Sequence, residues 1–310
     1  MAQSHWLSPL LTPDSVAIVG ASIKDGSFGE TCVRMAGRNG YGGRIYPINP
    51  NYEEVAGLPC YPSLDALPEP VDLAILCVNN NRLEAVLEEA IGAGARSAAI
   101  FGSCYLEDDT EPRLPARLAR IARAAKLPIC GGNGMGFYNL DHDFLCSFGW
   151  PPYETRRGHM TLISHSGSSF SALALNDQRL GYNLAVSHGL ELSGTVADFM
   201  DYALELETTR VVGLILETVR DPGGFVAALA KAREREVPVV AVKLGRTAEA
   251  AKMAISHSGA IAGDDAAYEA VFERHGVHRV ETLDELAATM SLFAVPRRVG
   301  PGGLAAIGDS

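Results

Sequence analysis

The pentapeptide Ile-Ser-His-Ser-Gly occurs twice, at residues 163–167 and 255–259. A histidine between serines and followed by glycine suits phosphoryl chemistry. The neutral imidazole nitrogen is nucleophilic near neutral pH, and the small residues let backbone N–H groups approach an anion. The two copies have different settings. The first follows an apolar run at 159–163 and opens a small-residue helical stretch at 168–180, so it reads as a strand-to-helix turn. The N–H groups of Ser166, Gly167 and Ser168 would then form an anion cradle. The second runs into Ala260, Ile261, Ala262, Gly263 and Asp264, a glycine-flanked loop that can present an imidazole to a moving phosphoryl group. His257 is thus the candidate nucleophile, with Ser258 and Gly259 beside it to hold phosphate. No wider repeat surrounds the copies. They read as two parts of one site.

The elements that must position these residues alternate in type. Apolar runs at 15–20, 44–48, 71–78, 97–101 and 128–130 read as buried strands, with amphipathic helices clearest at 82–93 and 112–125. Strands alternating with helices imply a parallel sheet covered on both faces, a Rossmann-like domain over residues 1–145. Residues 146–158 break the periodicity and read as a connection. A second series has strands at 159–163, 185–187, 211–216, 237–242 and 277–280. Helices are expected at 168–180, 196–206, 223–235, 264–275 and 283–293. This fits a flavodoxin-like domain over 146–295. Residues 296–303 read as a linker and 304–307 as the start of another strand, so 296–310 is expected to lead into a truncated third domain. The fold class is therefore α/β, with two parallel-sheet domains.

The 310 residues are 47% hydrophobic, enough for two cores, and the net charge of -11 disfavours an extended nucleic-acid or anionic-membrane surface. Six cysteines lie scattered without a Cys-x-x-Cys pair, several in apolar runs. No apolar stretch approaches the ~20 residues that span a bilayer. A reduced, cytoplasmic setting is expected. Of the other histidines, His5, His142, His159, His188, His275 and His278 show no ligand spacing, and no metal is expected in this chain.

After the first strand come Gly20, Ala21 and Ser22, then Gly26 and Gly29. A glycine-rich turn there can bind a nucleotide diphosphate, although a tight turn can also need its glycines for geometry alone. The spacing is not Gly-x-Gly-x-x-Gly, and the second strand ends in Pro47, Ile48, Asn49 and Pro50 rather than in an acidic residue. Both features weigh against an NAD(P)-dependent oxidoreductase.

"VGAS" after strand one, "YPINP" at strand two, "SHSG" opening a helix and "ISHSGAIAG" late in the second domain occur in this order. Together they resemble the NDP-forming acyl-CoA synthetases, relatives of succinyl-CoA synthetase alpha subunits and of archaeal ADP-forming acetyl-CoA synthetases. The resemblance covers about residues 10–293. It implies that the first domain binds coenzyme A, with Gly20, Ala21 and Ser22 near its phosphates. Asn49 and Pro50 would close over the nucleotide, and Val78 and Asn79 would line the end of strand three. The run Gly131 to Asn139 matches a family segment near the CoA thiol and acyl group, retaining Asn133 and Gly136 but carrying Gly132, Gly134 and Met135 in place of proline, cysteine and leucine.

The resemblance also implies that His257 is phosphorylated and that Glu217 is the carboxylate orienting it. The family more often has glutamine or arginine at position 165, which leaves His165 outside the nucleophile role. Lys243, Gly245 and Arg246 could support phosphate or the His257 loop. The implied reaction joins a carboxylic acid to CoA at the expense of ATP through an acyl phosphate. Its nucleotide step, with ATP/ADP and Mg, needs an ATP-grasp domain or beta-type subunit that the chain lacks. A homo-oligomer is expected in full-length form. The alternative from another class is a non-catalytic CoA-binding regulatory module, against which His257 and Glu217 together argue. Glycines at 132 and 134 in place of bulkier residues would leave room for an acyl group larger than acetate, and an aromatic acid such as ferulate is the expected substrate.

Overall fold

The computed structural model describes residues 4–149, 156–245, 265–296 and 300. His257, Ser258, Gly259 and Arg246 lie outside the described residues, as does the expected terminal strand at 304–307.

The first sheet is parallel. Strands β1 (Ser15–Val19) and β2 (Arg44–Ile48) are followed by a hairpin, β3 (Glu54–Val55) and β4 (Leu58–Pro59), and then by β5 (Leu73–Leu76), β6 (Ser97–Ile100) and β7 (Ile129–Gly131). The sheet order is β2-β1-β5-β6-β7. Every residue of β1, β5 and β6 is buried, because the sheet is covered on both faces. Helices α1 (Ser8–Leu11), α2 (Phe28–Gly37), α3 (Leu83–Gly92) and α4 (Leu114–Ala125) belong to this half. The chain leaves β1 for β2 on one side and returns to β5 on the other. This opens a crevice at the carboxyl ends of β1 and β5, where such folds bind ligands. Gly20 to Ser22 sit at that point.

The second sheet has seven strands: β8 (Gly136–Asn139), β9 (Phe144–Cys146), β10 (Arg157–Ser164), β11 (Tyr182–Ser187), β12 (Val211–Leu216), β13 (Val239–Lys243) and β14 (His278–Val280). Their order is β14-β13-β12-β10-β11-β8-β9. The five from β14 to β11 are parallel, whereas β8 and β9 are antiparallel additions at the edge. Residues 136–145 lie on the first-domain side of the boundary expected at 145/146, and no strand is expected there from the sequence. They pair into this sheet. The second switch point lies between β10 and its neighbours β11 and β12, the place of the first Ser-His-Ser-Gly turn.

Helices α5 (Gly167–Phe170), α6 (Val196–Ala203), α7 (Pro222–Glu234), α8 (Asp265–His275) and α9 (Leu283–Ala294) complete this half. Asp221 and Thr282 cap α7 and α9, and Thr195 with Asp198 forms a capping box on α6. The helix expected over 168–180 is shorter: α5 passes into one π turn, Ser171–Leu175, and stops. Ser171 Oγ donates back to the Gly167 carbonyl (2.9 Å) and Asn176 Nδ2 to the Ser171 carbonyl (3.0 Å). Such side-chain bonds compete with the helical ladder.

One hydrophobic core runs between the sheets, joining Phe101 and Cys130 to Phe137, Phe144, Ile163 and Val186. All six cysteines are free thiols, and burial pushes those of Cys104 and Cys130 up to about 12. They pack as small hydrophobes. Among the described residues no helix is long and apolar enough to cross a membrane.

Candidate active site

The turn after β10 is built by its own serines. Ser164 Oγ donates to the Ser166 carbonyl (2.8 Å) and accepts from the Ser166 amide (3.1 Å). Ser166 Oγ, as the cap of α5, accepts from the Ser169 amide and lies 3.1 Å from Ser168 Oγ. This leaves the amides of Gly167 and Ser168 in the first turn, where helix geometry supplies no acceptor. The Ser166 amide, counted in the expected cradle, is engaged internally.

Glu217 follows directly on β12. Ser164 stands opposite Ile215 in the β10/β12 register, so the serine turn and Glu217 emerge from neighbouring strand ends. Glu217 is buried, and its carbonyl accepts from Lys243 Nζ at 3.0 Å. The same ammonium donates to the Leu244 carbonyl and lies 4.9 Å from the centre of the Tyr268 ring. Desolvation lowers its pKa. Lys243 thus ties together the ends of β12 and β13. Lys243→Met is expected to cost about 1–3 kcal/mol by orphaning the buried Glu217 carbonyl and the half-buried Leu244 carbonyl, read from urea denaturation.

Beside this turn lies a group that spacing along the chain does not reveal. His165 Nε2 is 3.5 Å from Glu191 Oε1, His188 Nδ1 is 3.9 Å from the same oxygen, and Arg220 Nε is 3.5 Å from Glu191 Oε2. The two imidazole centroids are 4.4 Å apart, and His188 stacks on Phe199. Burial pushes His188 down to about 3. Burial alone would raise the Glu191 carboxyl, but His165, His188 and the Val196 N–H together hold it below the usual carboxylate range. Glu191 sits at φ 55, a strained conformation for a non-glycine residue of the kind that collects at functional sites.

At the other crevice, a side chain on Gly20 (φ 87) would lie 2.3 Å from the Cys77 carbonyl oxygen, and one on Gly29 would lie 2.0 Å from the Gly20 carbonyl oxygen. These glycines let α2 and β5 close around the turn. The Gly20 and Ala21 amides both point at the Ile48 carbonyl (3.0 and 3.2 Å), and Asn49 Nδ2 donates to the Ala21 carbonyl at 2.7 Å. Asn49 therefore ties the end of β2 to the glycine turn. Val78 packs against the apolar cluster that includes Val19, Leu76 and Leu83, and Asn79 precedes a short 3-10 turn. Gly29→Ala is expected to impair ligand binding in this crevice and to destabilise the fold by about 1–3 kcal/mol, because the clash is with backbone. Calorimetric titration with CoA and thermal melts would read the two effects.

A CoA-binding domain family matches residues 14–139, and a succinyl-CoA ligase-like flavodoxin domain family matches residues 157–293. An ADP-forming acetate–CoA ligase of Methanocaldococcus jannaschii is 32% identical over 299 residues, covering 94% of this chain and 41% of that protein. The alpha subunit of ADP-forming acetate–CoA ligase I of Pyrococcus furiosus is 32% identical over 286 residues, covering 90% and 61%. A trans-feruloyl-CoA synthase of an unknown prokaryotic organism is 30% identical over 313 residues, covering 99% and 44%. The chain carries the two domain families, in this order, and is similar along its length to ADP-forming acyl-CoA ligases. A solved acetyl-coenzyme A synthetase of Ca. Korarchaeum cryptofilum, in complex with phosphate and ADP, superposes with a TM-score of 0.85 at 28% identity, covering 93% of this chain and 62% of that chain. The chain spans 41–61% of the length of these curated relatives and corresponds to their alpha-subunit-like part.

Within this acyl-CoA synthetase fold, the glycine run 131–136 does not open the space expected of it. A side chain at Gly132 would lie 2.3 Å from Cys104 Sγ, and one at Gly134 would lie 2.4 Å from the Ser187 carbonyl oxygen. The volume of the missing side chains is filled by a neighbouring thiol and by the backbone of β11. Asn133, at φ 54, donates its amide to the Gly102 carbonyl at 2.7 Å. A cavity of about 610 Å3 lies instead to one side, between the loop 103–106, α4 and the loop 190–192, with Cys104, Asn133, Glu191 and Arg220 on its wall. Asn133, carried over from the family motif, is on that wall. Glu191 and Arg220 went unnoticed in the sequence, where no motif spacing marks them.

Proposed function

We propose that this chain is the CoA-binding and phosphohistidine part of an NDP-forming acyl-CoA synthetase, which converts carboxylate, CoA and ATP to acyl-CoA, ADP and phosphate. The γ-phosphoryl group passes from ATP to His257 and ADP leaves. A carboxylate oxygen of the acid then takes the phosphoryl group, the P–N bond breaks, and an acyl phosphate forms. The CoA sulfur attacks its carbonyl carbon, phosphate departs, and the thiol proton is lost to solvent. Splitting the transfer through a covalent intermediate replaces one difficult step by easier ones. The observation that carries this reading is the emergence of the serine turn and of buried Glu217 from adjacent strand ends. That arrangement supports reading the serine turn as an anion cradle and Glu217 as the carboxylate that orients an incoming imidazole through one ring nitrogen.

In this reading Gly20, Ala21, Ser22, Asn49, Pro50, Val78 and Asn79 shape the CoA crevice, with Asn133 near the acyl group. Gly167 and Ser168, with Ser258 and Gly259, hold phosphate. The ATP-grasp step, with its Mg, falls to a beta-type subunit or a further domain, and the complete enzyme is a homo-oligomer in a cytoplasmic setting. The acid is aromatic, such as ferulate. The cavity of about 610 Å3 supports this, since pockets of roughly 300–1,000 Å3 house drug-sized ligands and acetate fills only a small part of one. Turnover of acetate, succinate and ferulate by the complete enzyme tests the choice. Ferulate is expected to exceed acetate in kcat/KM by at least about 10-fold; equal or better turnover of acetate would defeat it.

A further inference from the structure

In the group around Glu191, three buried ring nitrogens, His165 Nε2 and both of His188, find no hydrogen-bond partner among the described residues. His165 Nδ1 lies 3.3 Å from the Ile215 carbonyl oxygen, which can only accept, so this nitrogen carries a proton. In the neutral ring Nε2 then presents a bare lone pair. It has no hydrogen-bond partner and faces Glu191 Oε1 at 3.5 Å. Two acceptors held face to face in a buried site repel unless a cation stands between them. His188 adds a second anomaly: it is wholly buried, and neither of its ring nitrogens has a hydrogen-bond partner among the described residues. A proton shared by His165 and Glu191 would leave that imidazole unsatisfied. A cation bound to all three groups would engage one nitrogen of each imidazole.

We propose that His165, His188 and Glu191 form a binding site for one divalent transition metal of the zinc class, held by two imidazole nitrogens and one carboxylate oxygen. One ligand atom from each residue lies within 4.8 Å of the others. Four-coordinate zinc with ligands at about 2.0–2.1 Å sets neighbouring donors about 3.4 Å apart, so the observed 3.5 and 3.9 Å need only small side-chain adjustments. Two imidazoles and a carboxylate suit such an ion. The outer groups also fit. His165 gives its other ring proton to a backbone carbonyl, as metal-bound histidines do, and Glu191 Oε1 is fixed by the Val196 amide at 2.6 Å. Arg220 stands on the far oxygen, Oε2, leaving Oε1 for the ion. Glu191 also belongs to the wall of the large cavity. The three residues meet because β10 and β11 are adjacent and the loop after β11 turns back over them. Metal binding can be measured without the phosphoryl chemistry.

The test is titration of the chelator-stripped chain with Co2+, followed by visible absorption and then by displacement with Zn2+. One Co2+ per chain should saturate the ligand-field bands of a four- or five-coordinate ion, and one Zn2+ should bleach them. His188→Asn and Glu191→Gln, with unchanged far-ultraviolet circular dichroism, should each weaken binding at least about 100-fold. Should either variant fail to fold, Zn2+-dependent shifts of the His165 and His188 ring resonances in the unaltered chain report the same ligands. Absence of the bands, saturation at other than one ion per chain, or undiminished affinity in the folded variants would overturn the site. So would a His165 ring that stays doubly protonated in the presence of Co2+, which would assign a proton to the gap.

Discussion

Replacing His257 by asparagine is expected to abolish the acid-labile phosphoenzyme that forms from labelled ATP when the ATP-grasp partner is present. Overall acyl-CoA formation should fall at least about 1,000-fold, since loss of a covalent nucleophile leaves only binding and electrostatic stabilisation. Asparagine keeps a polar side chain of similar reach but has no ring lone pair to accept the phosphoryl group. CoA affinity should be unchanged, because the proposed CoA crevice lies at the ends of β1 and β5 in the other sheet. Glu217→Gln should retain a residual label but lower its rate of formation by about 100-fold or more, as expected when an imidazole loses the carboxylate that sets its tautomer. His275→Gln, at the end of α8, should label normally. A chain that labels equally well without His257, or that never labels, would sink the synthetase reading and favour a non-catalytic CoA-binding module.

The parallel strands were legible because both faces of each sheet are covered. Burial on both faces makes a strand such as Val211–Leu216 a continuous apolar run, and its expected and observed limits coincide. The edge strands β8 and β9 were not legible. Four and three residues long, the first beginning at a glycine of positive φ, they offer no period to read, and only pairing with its neighbours makes β8 a strand. The glycines at 132 and 134 show a different limit. The sequence records that a side chain is missing but not what moves into its place, here a cysteine sulfur and a strand carbonyl. Glu217 could be found because it closes a readable strand. His188, Glu191 and Arg220 could not, since they approach His165 only through the order in which the sheet places β10, β11 and β12.

The same packing makes one glycine far less replaceable than its neighbours in sequence suggest. Gly189→Ala is expected to cost more than about 4 kcal/mol, the range reached only when several mechanisms act together. The residue sits at φ 60, where an alanine costs about 1–2 kcal/mol in backbone terms alone. Its added carbon would also stand 2.0 Å from the Gly132 carbonyl oxygen. That oxygen cannot retreat freely, because it accepts the Leu190 amide at 2.8 Å, while the Gly131 amide donates to His188 and the Asn133 amide to Gly102. Moving the strand end would break these bonds, each worth about 1 kcal/mol, and would displace His188 and Glu191 with it. Gly276→Ala separates the two contributions. Gly276 has a similar φ of 68 but nothing within 4 Å of the added carbon, so only the backbone cost of about 1–2 kcal/mol should appear. Urea denaturation of both variants gives the difference directly. Losses within 1 kcal/mol of each other, read by that measurement at the about 1 kcal/mol scale of one hydrogen bond, would mean that the glycine run and the loop after β11 do not support one another as described.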